Sequence, residues 1–149
     1  MSASTRPHPA LQRLQPLIGT WALTGRTLGS EEDDIKGQVV IDWLPGGFFQ
    51  EQRGEIEIPA AGLKVQSLEI VGYDPQTDTF PSQVYASLGG EPGTYAWDVR
   101  GNVVTHWTNG SKYTGTFSAG GRTLSGGWRS DDGNTAPGSS YDAVMTRVK

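Results

Sequence analysis

The dipeptides Gly101-Asn102 and Asn109-Gly110 bracket a run of only six residues, Val103 to Thr108, and each is a two-residue hairpin signal. A chain that reverses twice so closely is laying antiparallel strands side by side. The punctuation recurs: Leu44-Pro45-Gly46-Gly47, Tyr73-Asp74-Pro75, Gly89-Gly90-Glu91-Pro92-Gly93 and Ala119-Gly120-Gly121 each interrupt an apolar or alternating run. The 21 glycines and 9 prolines among 149 residues therefore read as turn residues and not as a sign of disorder. Strands are predicted at residues 18–28, 36–44, 48–58, 63–73, 79–88, 94–100, 103–108, 111–118, 122–130 and 140–149, with a polar loop over 131–139 before the last. The exception to strand is Ala10 to Pro16, where Leu11, Leu14 and Leu17-Ile18 suit one or two helical turns that close a barrel mouth and stop at Pro16.

Ten short strands joined in succession imply an all-β fold, an up-and-down antiparallel β-barrel of about ten strands with a short N-terminal helical turn. Closure removes exposed edges, and a barrel of this strand number can hold a small ligand if side chains do not fill it. Length predicts one domain, residues 10–149, behind a small, polar, mobile tail at residues 1–9. Gly19-Thr20-Trp21 heads the first strand, where a tryptophan after a glycine can plug one end of the barrel.

Composition removes several function classes. The net charge of −4, with no basic patch, argues against nucleic acid and anionic membrane as partners. The absence of cysteine excludes disulfides, zinc-thiolate sites and cysteine nucleophiles. The acidic run Glu31-Glu32-Asp33-Asp34 lacks the alternating ligand spacing of a calcium loop and reads as a solvated turn, so no metal is assigned. Met1 to Pro9 has no apolar signal region and no long apolar run follows, which points to a cytoplasmic protein. No Gly-x-Ser-x-Gly elbow, phosphate loop or His-Glu-x-x-His occurs.

The candidate site is built from faces. In 48–58, Phe49, Glu51, Arg53, Glu55 and Glu57 share a face that must be outside, which sends Gln50 and Gln52 inward among apolar neighbours. Buried amides need partners, which could be each other, water or a ligand. In 103–108 either His106 or Trp107 can face inward, and on burial grounds Trp107 is placed inside, leaving His106 at the surface or rim. An inward His106 would instead be a general base near Tyr95 or Glu69, or an axial haem ligand. The expected ligand-binding residues are Trp21, Trp43, Gln50, Gln52, Tyr85, Tyr95, Trp97, Trp107 and Trp128, an aromatic wall with a few polar groups; the same tryptophans would also serve as ordinary core.

Leu17-Ile18-Gly19-Thr20-Trp21, Trp43-Leu44-Pro45-Gly46-Gly47-Phe48, Ile70-Val71-Gly72-Tyr73-Asp74, Gly115-Thr116-Phe117 and Gly126-Gly127-Trp128, in this order, resemble an uncharacterised bacterial family of unknown function with a lipocalin-like (calycin) barrel. The resemblance implies a cavity for a small hydrophobic molecule and no agreed activity. Nitrobindin-type haem barrels are similar in the opening Gly-x-Trp, but they hold iron through a histidine late in the chain, and Tyr141 to Lys149 contains none. The expected function is binding of a small hydrophobic or aromatic molecule, with no cofactor and with a homodimer compatible. The alternatives are a cofactor-free isomerase or cyclase using one acid or base, and haem binding through His106.

Overall fold

The computed structural model describes residues 5–132 and 140–148. A 3-10 helix, Pro9–Leu17, leads into ten strands: β1 (Gly19–Thr27), β2 (Ile35–Trp43), β3 (Gln50–Ile58), β4 (Leu63–Val71), β5 (Phe80–Ala86), β6 (Gly93–Arg100), β7 (Val103–Thr108), β8 (Ser111–Phe117), β9 (Thr123–Ser130) and β10 (Tyr141–Arg147). Each strand pairs antiparallel with its sequence neighbour, and β1 pairs with β10, so the sheet is a closed barrel without an edge. This is the all-β, up-and-down architecture that the turn spacing predicts. The hairpins fall at Gly101-Asn102 and Asn109-Gly110, where Gly101 at φ 59° and Gly110 at φ 89° take the left-handed conformation.

The helix closes one end. Leu11, Leu14 and Leu17 are buried against Trp21, Val71, Phe80 and Val104. Pro16 lies inside the 3-10 helix and does not stop it before Leu17; the closing bond runs from the Ile18 N–H to the Gln15 carbonyl, 3.1 Å, and needs no donor from the proline. Trp21 is fully buried and donates its indole N–H to the Leu17 carbonyl at 2.9 Å, while the Arg147 guanidinium lies 4.2 Å above its ring. The glycine-tryptophan element is thus the plug. Arg13 ties the helix to the wall through Asp78 (2.7 Å) and Asp98 (2.8 Å), with its guanidinium over Phe80.

Residues 1–4 of the expected tail and 133–139 of the expected loop lie outside the described residues. His8, also assigned to the tail, caps the helix instead: its Nδ1 accepts the Ala10 N–H at 3.0 Å and its ring packs 4.5 Å from Tyr73.

Candidate binding cavity

Alternation turns every second side chain into the barrel, and those nearest the helix pack with its leucines into the main core. Against that core, with Leu17, Ile41 and Leu124 in its wall, lies a cavity of about 360 Å³, whose walls are mainly apolar but include Gln52, Glu69, Tyr95, His106, Tyr113 and Tyr141. Strand glycines help to make the room. A Cβ on Gly93 would sit 2.9 Å from the Tyr95 ring, and one on Gly115 would sit 2.2 Å from the Tyr113 hydroxyl, so each tyrosine lies over a glycine two residues away on its own strand.

β3 has the predicted faces. Gln50 and Gln52 point inward and are buried, while Phe49 is exposed and Glu51 pairs with Arg53 outside at 2.6 Å. The amides form a chain: Gln52 Nε2 donates to Gln50 Oε1 and Gln50 Nε2 donates to the Leu14 carbonyl, both at 3.1 Å. Gln50 is therefore a structural strut between wall and helix, and of the two only Gln52 lines the cavity.

The strongest departure from expectation is in β7. His106 is inside, 8% exposed, and Trp107 is on the outer face, where it lies beside Asp98 and Lys112. The reason is register. Directly opposed residues of an antiparallel pair point to the same side, and the Gly101-Asn102 turn sets Trp97 opposite His106 and Ala96 opposite Trp107. Once Trp97 and Val99 face the core, His106 must too. Tyr85 is also misplaced by the sequence reading: it lies on the outer face of β5, 50% exposed, because Phe80, Ser82 and Val84 take the inner face. Trp21 and Trp43 belong to the helix-covered end, Trp43 donating to Gln15 Oε1 at 3.0 Å. Among the nine expected residues, Gln52, Tyr95, Trp97 and Trp128 line the cavity.

What the inward His106 meets is a carboxylate. Glu69, on β4 and 7% exposed, receives three donors on the single atom Oε2: the Ser82 hydroxyl at 2.6 Å, the Trp97 indole at 2.7 Å and His106 Nε2 at 3.0 Å. Burial alone pushes the Glu69 carboxyl up, but the charge and hydrogen bond of His106, with the bonds from Ser82 and Trp97, hold it below the ordinary carboxylate value. An ionised Oε2 can only accept, so His106 Nε2 carries a hydrogen and Nδ1 has the lone pair whenever the ring is neutral. Three rings surround it: Trp97 stacks at 3.6 Å, Trp128 meets it edge-on at 5.0 Å and Tyr95 lies at 5.1 Å.

Among the described residues, every buried side-chain nitrogen or oxygen has a hydrogen-bond partner. His106 Nδ1, Glu69 Oε1, Gln52 Oε1 and the hydroxyls of Ser67, Tyr95, Tyr113 and Tyr141 have no partner among those residues, so these polar atoms are accessible from the cavity. Burial raises the pKa of all three phenols, Tyr141 to about 12, so each keeps its proton at neutral pH and is a donor. The sequence alone names Glu69 only as a neighbour for His106 and assigns Tyr113 and Tyr141 no place among the ligand-binding residues. Their signal was the alternation itself, since Glu69 shares the face of Ser67 and Val71.

Comparison with family models matches residues 6–131 to the family described as Protein of unknown function (DUF1579). No curated protein matches the chain. Among solved structures it is similar to the crystal structure of Rv2717c from M. tuberculosis, with a TM-score of 0.61 and 16% identity over 96% of this chain and 99% of that one, a likeness of fold alone. No described helix is long and apolar enough to cross a membrane.

Proposed function

The chain belongs to the DUF1579 family of proteins of unknown function, and from that premise we propose that its barrel binds a small, mainly apolar, ring-bearing molecule. One observation carries the reading: the cavity of about 360 Å³ has a wall of packed rings, Tyr95, Trp97, His106 and Trp128, with a buried acid–base pair set into it. Small-molecule sites have this make-up, a concave apolar surface with a few convergent polar groups. The volume lies at the lower end of such sites, which suits a ligand of one or two rings.

Titration with small aromatic compounds should quench the fluorescence of Trp97 and Trp128 saturably, and native mass spectrometry should give one bound molecule per chain. Val84→Trp, which adds an indole to the cavity wall, should abolish both signals while the circular dichroism spectrum stays that of a barrel. Quenching that survives the substitution would place binding outside the barrel and end the proposal.

The Glu69–His106 pair supports a second reading, a cofactor-free enzyme with His106 as its acid or base. New product on incubation with a cell extract would favour it over simple binding. Haem binding through His106, the other alternative, requires the ring to face inward, as it does. Haem would have to be held by Nδ1, because Nε2 is engaged by Glu69, in a cavity of about 360 Å³ that suits one or two rings and not a tetrapyrrole, so no Soret band is expected in protein expressed with added haem.

A further inference from the structure

The cavity's accessible polar atoms include lone-pair acceptors, His106 Nδ1 with Glu69 Oε1 and Gln52 Oε1, and phenol donors whose hydroxyls have no partner among the described residues. Tyr95 lies 5.1 Å from the His106 ring, and Tyr113 is its cross-strand partner. Tyr141 stands two strands further round, opposite Trp128, which is itself opposite Tyr113. The other ionisable lining group is Glu69, bonded to the far side of the same imidazole. A ligand atom seated at Nδ1 must offer a hydrogen to the ring and lone pairs to the phenols. A hydroxyl does both, and an acidic hydroxyl does more, since the imidazolium formed by taking its proton is stabilised by Glu69.

Resting on the reading of the barrel as a small-molecule site, we propose that its ligand is a weak oxygen acid, a phenol or enol carried on an apolar ring, bound as its anion with the proton on His106 Nδ1. The ligand O–H bond breaks and the Nδ1–H bond forms. The electron pair stays on the ligand oxygen, which accepts from the Tyr95 and Tyr113 hydroxyls. Glu69 remains a carboxylate throughout, accepting from Nε2 as the ring becomes cationic. No co-reactant is needed. The ring is thereby held between two anions, and the apolar walls strengthen both attractions by keeping water away.

Of the probe pair, para-nitroanisole carries a methyl group where para-nitrophenol has its acidic hydrogen. At a pH below the phenol's own pKa, addition of the protein should bring up the absorption band of the phenolate. The ether should bind at least about tenfold more weakly, the scale of a lost charge-assisted hydrogen bond. Glu69→Gln should lose the phenolate band, and the ether's affinity in the same variant reports whether the cavity is intact. Tyr113→Phe, which removes a hydroxyl with no partner among the described residues, should weaken the phenol about tenfold and diminish the phenolate band. Equal binding of phenol and ether without a phenolate band would overturn the oxygen-acid proposal and leave the apolar site standing. Failure of both probes to bind, by fluorescence and by native mass spectrometry, would overturn the site itself.

Discussion

Removing the Glu69 carboxylate tests the centre of the barrel most directly. In Glu69→Leu the three donors that converge on Oε2, from Ser82, Trp97 and His106, lose their acceptor together. Each unpaired buried donor costs about 1–3 kcal/mol, but the substitution also ends the desolvation of a buried carboxylate, and the cavity can hydrate part of what is exposed. Breaking a buried pair from one side typically costs about 3–5 kcal/mol, and that is the expected loss. Glu69→Gln retains an acceptor oxygen for the same donors and exchanges charged for neutral bonds, so about 1–2 kcal/mol is expected. For a chain of this length the leucine variant should melt roughly 10–20 °C below the wild type. Urea unfolding, read as a change of midpoint at constant slope, separates the two variants. The pH dependence has a definite sign. Because the Glu69 carboxyl is held below its ordinary value, its contribution is complete above the unfolded pKa of about 4.3 and is lost as pH falls through the folded value. The gap between wild type and Glu69→Gln should therefore narrow on acidification. A leucine variant as stable as the wild type, or a gap that widens in acid, would refute the account of Glu69 as the common acceptor.

Gln50→Glu should destabilise by about 3 kcal/mol or more, since its carboxylate would face the Leu14 carbonyl, whereas Glu51→Gln on the outer face should cost about 1 kcal/mol or less; equal midpoints in urea would invert the β3 register. Trp107→Phe should leave ligand-induced quenching intact and Trp97→Phe should remove much of it, so a reversed pattern would put Trp107 inside. Hydrogen bonds from Arg13, Tyr73 and Arg100 hold the Asp78 carboxyl far below its usual range, so the stability it confers is present above that range and lost in strong acid. Asp78→Asn should accordingly melt below the wild type at neutral pH and approach it as pH falls; a pH-independent difference would show that the Arg13–Asp78 tie is not what anchors the helix.

Much of the molecule is fixed by local rules. Turn residues between short alternating runs determine ten strands in sequence order, and the charged face of β3 determines that Gln50 and Gln52 lie inside, because charge stays in water whatever the fold. The leucines at 11, 14 and 17, with Trp21 after Gly19, determine the closed end. Alternation divides a strand into two faces, however, and does not say which is inner when both carry an apolar or aromatic residue. For Val103 to Thr108 that choice belongs to pairing: the register across Gly101-Asn102 ties His106 to Trp97, and the larger buried area that Trp107 could have offered never enters. The Glu69–His106 contact is further from local reach, since its strands are not neighbours in the sheet and 37 residues separate the pair. Only closure of the barrel brings their inner faces within hydrogen-bond distance, and with them the polar atoms that give the cavity its chemistry.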